Sequence, residues 1–144
     1  MTIEELDPAL GVPDALYEEL HWAAETREEM TAGRVLRVHR DWLNGGFEQT
    51  FNNLDAIEEL AAEYVQSYSE IGLPAVANLV DEALAVWSAG QCSDDEWEPF
   101  DQRYKGLVYP STTDDRDTIE AAVVRYIQRN AGAFANAFAA ITEE

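Results

Sequence analysis

Positive charge is scarce in this chain. Lys105 is its only lysine, and no Lys or Arg occurs between Arg40 and Arg103, a stretch that carries 14 Asp or Glu. Over the whole sequence 29 acidic residues face 9 basic ones, a net charge of −20. Such a surface repels phosphate, which argues against direct nucleic-acid binding and favours a basic partner. Cysteine is nearly absent. Cys92 alone excludes an internal disulfide and any multi-cysteine metal site. The two histidines, His21 and His39, read as helix-surface or core residues, not ligands. No apolar run approaches the twenty residues of a membrane span. Met1-Thr2-Ile3-Glu4-Glu5 lacks the basic and apolar regions of a secretion signal, so a cytoplasmic location is expected. Phosphate-cradling GxxxxGK, calcium-loop and paired metal-ligand motifs are all missing. His39-Arg40-Asp41 matches three letters of a kinase catalytic loop by chance, in a chain too short for a kinase. No carboxylate pair stands out at glycosidase spacing, and acidic surroundings oppose a Cys92 thiolate. The expectation is a non-enzyme with no cofactor and no metal.

What is present is helical periodicity. The chain has 144 residues, 47% of them apolar, which is enough for one domain with a proper core. The expected fold is all-α: a single-domain bundle of about five to seven helices spanning 1–144, with 1–12 as a loose lead-in. Pro8, Gly11 and Pro13 keep that lead-in from becoming a long helix, although Thr2 and Glu5 can cap a short turn. A helix is expected from Pro13 through Glu29, with Thr31-Ala32-Gly33 loosening or breaking it before 34–43 resumes. Arg34, Arg37 and Arg40 in that segment are expected to pair with acids of neighbouring helices. Residues 54–71 repeat apolar side chains at helical spacing, Gly72 closes that helix and Pro74 opens the next. Ser93-Asp94-Asp95-Glu96 reads as a capping box for a helix to about Lys105, followed by a loop over 106–113. One last helix is expected from 114–117 to about Ala139.

Between the second and third of these segments lies Asn44-Gly45-Gly46-Phe47-Glu48-Gln49-Thr50-Phe51-Asn52-Asn53. It reads as a helix stopping, a tight glycine turn and a short aromatic helix starting. Asn44 or Gly45 is expected to take the left-handed conformation that ends the helix. Phe47 and Phe51, four apart, share a face and plug the core. Asn-Gly-Gly-Phe-Glu-Gln, the aromatic at Phe51 and Asn52-Asn53 resemble the signature of the DNA-mimic protein 19 family, most clearly over 34–87. The resemblance implies an all-α fold and a homodimer. For the family's founding member it implies an acidic surface that stands in for DNA and occupies a DNA-binding regulator.

Two acidic faces fit that role on spacing. Asp14, Glu18, Glu25 and Glu29 would lie within an arc of about 60° on one helix, roughly 6–10 Å apart along its axis, a separation comparable to successive phosphates. Asp55, Glu58, Glu59, Glu63 and Glu70 occupy the polar side of the 54–71 helix. These nine carboxylates are the candidate contacts for a basic DNA-binding protein, which the resemblance makes a helix-turn-helix regulator. The same charge is compatible with an inhibitor or immunity protein for a basic toxin. It is equally compatible with a saline cytosol and no mimicry.

Overall fold

A few side chains set the helix ends here, and those ends decide where the acids point. The computed structural model describes residues 1–54, 56–90, 93–111 and 116–142. Among them the chain forms seven α-helices: α1 (Asp14–Ala23), α2 (Arg27–Asn53), α3 (Ile57–Glu70), α4 (Pro74–Ser88), α5 (Asp94–Val108), α6 (Thr118–Arg129) and α7 (Ala135–Thr142). Short 3-10 turns occupy Ile3–Glu5 and Ala131–Phe134, and no strand occurs among the described residues. The fold is thus an all-α helical bundle. No helix among the described residues is long and apolar enough to cross a membrane. Asp55, Cys92 and the expected start of the last helix at Asp114 lie outside the described residues.

The long kinked helix α2 is the axis, packed against α1, α3, α4, α5 and α6. Its inner side buries Val35, Leu36, Val38, Phe47 and Phe51. Each such side chain contributes about 1.5–3 kcal/mol by leaving water. Helix α3 stops in a Schellman arrangement, in which Leu73 N–H donates to Tyr68 O at 2.9 Å and Gly72 N–H to Ser69 O at 3.0 Å. Pro74 then opens α4 in its first turn, where its missing N–H costs nothing.

Several boundaries differ from the sequence expectation. The helix begun at Asp14 ends at Ala23, and α2 starts at Arg27, because Thr26 and Glu29 form a capping box. Thr26 Oγ1 accepts from Glu29 N–H at 3.0 Å, and Glu29 Oε1 accepts from Thr26 N–H at 2.9 Å and Glu25 N–H at 3.0 Å. Thr31-Ala32-Gly33 does not break α2. All three are buried, and a Cβ on Gly33 would lie 3.1 Å from Leu20 O, so Gly33 is where α1 packs closely. Helix α5 continues past Lys105 to Val108. The last expected helix is divided: α6 ends at Arg129, Asn130 Nδ2 donates to Tyr126 O at 2.8 Å, and a 3-10 turn leads into α7. The lead-in is docked. Leu6 and Val12 are buried, Gln128 Nε2 donates to Leu6 O at 2.9 Å, and Val12 N–H donates to Glu120 Oε1 at 2.8 Å.

Candidate partner-binding surface

The glycine motif folds as a corner inside α2. Gly45 has φ −162° and ψ 15°, and Gly46 has φ 78° and ψ −176°. The residue that needs glycine's freedom is therefore Gly46, not Asn44 or Gly45. Its conformation lies in a region that side chains essentially never adopt. The second arm of α2 begins with unsatisfied N–H groups, and Asp101 of α5 supplies the acceptor. Asp101 Oδ1 accepts from Phe47 N–H at 3.0 Å and from Trp42 Nε1 at 3.0 Å. Thr50 Oγ1 donates to Gly46 O at 2.7 Å, and Gln49 Nε2 to Asp41 Oδ1 at 3.1 Å. Phe47 and Phe51 stack at 5.3 Å and are buried, as their spacing implies. Asn44 stays exposed. The motif is thus a corner locked by α5.

Behind the corner runs a buried polar relay. Tyr68 Oη lies 2.9 Å from Tyr104 Oη, which lies 3.0 Å from His39 Nδ1, and His39 Nε2–H donates to Asp117 Oδ2 at 2.5 Å. The relay ties α3, α5 and α2 to the start of α6, where Asp117 Oδ1 also accepts from Ile119 and Glu120 N–H at 3.0 Å each. Burial raises both phenols above the ordinary tyrosine value. Burial also raises the Asp117 carboxyl, but the hydrogen bonds from His39 and the two backbone N–H groups outweigh it, and its pKa lies below the ordinary value. His39 is a core residue, fully buried.

The first acidic row does not survive folding as a row. Asp14 and Glu18 share α1, Glu25 lies in the connection to α2, and Glu29 is 2% exposed with its carboxylate given to the capping box. Glu29 is therefore not available to a partner. Asp14 remains outside, although Arg40 Nη1 donates to it at 2.9 Å. Glu18 accepts from Trp22 Nε1 at 3.2 Å on the exposed side of α1.

The second face is more intact. Glu58, Glu59 and Glu63 on α3 are exposed, and none has an ion-pair partner among the described residues. Glu59 and Glu63 stand one turn apart, about 6 Å along the axis. Glu70 is a correction. Its side chain turns inward, pairs with Arg27 and accepts from Tyr126 Oη at 2.5 Å. Burial raises its pKa, but Tyr126 and Arg27 outweigh that and hold it below the ordinary carboxylate value.

The arginines follow expectation in part. Arg40 clamps Glu120, Asp14 and Val12 O at once. Burial works against its charge, and the two carboxylates more than restore it. Arg37 instead meets His21 Nε2 at 3.3 Å and Asn53 O at 3.3 Å. Arg103 pairs with Glu82 at 2.6 Å. Among the acids that matter to the fold and escape a reading by helix face are Asp101, Asp117 and Glu120, the last of which holds Val12 N–H and Arg40. Asp117 stands three residues before Glu120, a recognisable cap position; Asp101 carries no local signal, because its partners are 54 and 59 residues away.

No curated protein and no solved structure matches this chain. A family model described as DMP19-like protein does match, over residues 23–130, which take in the glycine corner, the relay and α3. The chain belongs to the DMP19-like protein family.

Proposed function

We propose that this protein is a DNA mimic that acts by binding and not by catalysis. Exposed carboxylates on α3, with Asp14 and Glu18 on α1, engage lysines and arginines on the DNA-binding surface of a basic partner, a helix-turn-helix transcription regulator. The mechanism is competition, since the partner cannot hold this protein and its operator together. A homodimer would lengthen the array. The observation that carries the reading is the α3 face. Glu58, Glu59 and Glu63 stand exposed with no cation paired to them among the described residues, in a stretch that holds no Lys or Arg. Family membership supports the same direction.

The test begins with recovery of basic DNA-binding proteins on the immobilised chain, followed by titration of the purified partner's DNA complex. Wild type should release labelled operator, and the double reversal Glu59→Lys, Glu63→Lys should release it at least tenfold less effectively. Affinity should fall with salt by screening, more gently than for DNA, because a protein carries no condensed counterion layer to release. Equal displacement by the reversed variant would remove the mechanism. Recovery of an enzyme blocked at its active site would favour the inhibitor reading.

A further inference from the structure

Four helix segments converge on a cleft of about 460 Å³ beside the glycine corner. Glu48 and Asn52 come from the second arm of α2, Glu58 from the first turn of α3, Trp87 from α4 and Trp97 from α5. Two indoles and two carboxylates thus border one space. Neither Glu48 nor Glu58 has a hydrogen-bond or ion-pair partner among the described residues, and both are exposed. The indoles are held in place. Trp87 Nε1 donates to Asn52 Oδ1 at 3.4 Å, and Phe51 sits edge-on to Trp87 at 6.4 Å and to Trp97 at 5.8 Å. Trp97 is 4% exposed, and its indole N–H has no hydrogen-bond partner among the described residues.

We infer that this cleft is a binding site for an arginine side chain presented by a protein partner. An indole face attracts a cation through its quadrupole, and the attraction grows as water is excluded. A guanidinium is planar, loses its water more readily than an ammonium and forks onto carboxylates, so it suits a wall of indoles flanked by Glu48 and Glu58 better than lysine does. No basic residue of this chain lies between positions 40 and 103 to fill the cleft from within the segment that builds it. The inference rests on the DNA-mimic reading for its partner: it gives the acidic face of α3 an anchor at its N-terminal end, where one arginine of the regulator is buried while others meet Glu59 and Glu63.

The probe is N-acetyl-arginine methylamide, read on the four indole N–H signals in a ¹⁵N–¹H spectrum, each assigned from a single Trp→Phe variant. The Trp87 and Trp97 signals should shift saturably, while Trp22 and Trp42 stay still. The citrulline analogue, neutral and nearly isosteric, should bind at least tenfold more weakly. The surface variant Glu48→Gln, Glu58→Gln should weaken the arginine probe by a similar factor. Equal shifts with citrulline, or movement of all four indoles together, would overturn the site. Operator displacement separates this from the broader reading. If Glu48→Gln, Glu58→Gln loses the probe yet displaces operator as well as wild type, the anchor role is overturned and mimicry stands. If the probe binds as expected while no regulator is displaced, the arginine site is supported and mimicry fails.

Discussion

Gly46 and Asp101 face each other across the corner of α2, so closely that a Cβ on Gly46 would lie 2.9 Å from Asp101 Oδ2. At the preceding glycine the crowding is of another kind. The nearest atoms to a Cβ on Gly45 belong to the end of the Gln49 side chain, which can swing away at the loss of its hydrogen bond to Asp41, and the Gly45 φ of −162° suits any residue. The two glycines therefore carry unequal constraint. Gly46→Ala should destabilise by about 2–4 kcal/mol, from a backbone conformation that itself costs roughly 1–3 kcal/mol and from displacement of the capping carboxylate. Gly45→Ala should cost about 1 kcal/mol or less. Urea denaturation of the two variants measures the difference; equal losses would contradict the geometry.

The relay through Tyr104 gives a second expectation. Tyr104→Phe removes the hydroxyl that lies between Tyr68 Oη and His39 Nδ1, and leaves two buried groups without their partner. An orphaned buried polar group costs about 1–3 kcal/mol. Tyr68→Phe orphans less, because Tyr104 keeps His39. The double variant should therefore cost less than the sum of the two single ones, a coupling that a double-mutant cycle in urea reads directly.

Acid stability follows from Asp117 and Glu70. Both carboxyls are held below their ordinary values in the fold. On unfolding they return to about 4. The unfolded chain thus takes up these protons first as pH falls. Their stabilising contribution is complete above the unfolded value and is lost as pH drops through the folded one. Urea midpoints from pH 7 to 3 should hold between about 7 and 5, as far as these two groups are concerned, and fall below about 4. Asp117→Asn keeps a capping side chain but no titratable group there, so its acid limb should be shallower than that of wild type.

Much of this architecture is legible in the chain, and the misses have identifiable causes. Pro74 and the apolar spacing of 54–71 mark real helices, because proline and periodicity act locally. The break before α2 is also written locally, as Thr26-x-x-Glu29, but Asp14, Glu18, Glu25 and Glu29 fit one helical face so well that periodicity hides the cap. Glycine misleads at Gly33, where the lost helix propensity is offset by close packing on Leu20. Asp101 and the His39–Asp117 bond span 54–78 residues, and no window along the sequence holds both partners. The candidate surface divides in the same way. Glu58, Glu59 and Glu63 keep the outward face that their spacing implies, while Glu29 and Glu70 turn inward for reasons that lie in a cap and in an arginine 43 residues away.

The inward turn of Glu70 has a consequence for recognition. It fastens the last turn of α3 to Arg27 and Tyr126, and the first turn is seated by the buried Ile57. The rod between them is thus held at both ends by side-chain contacts. A partner that grips Glu59 and Glu63 has two side chains to still on a helix already formed, so less of its contact energy is consumed than if it also had to order a loop.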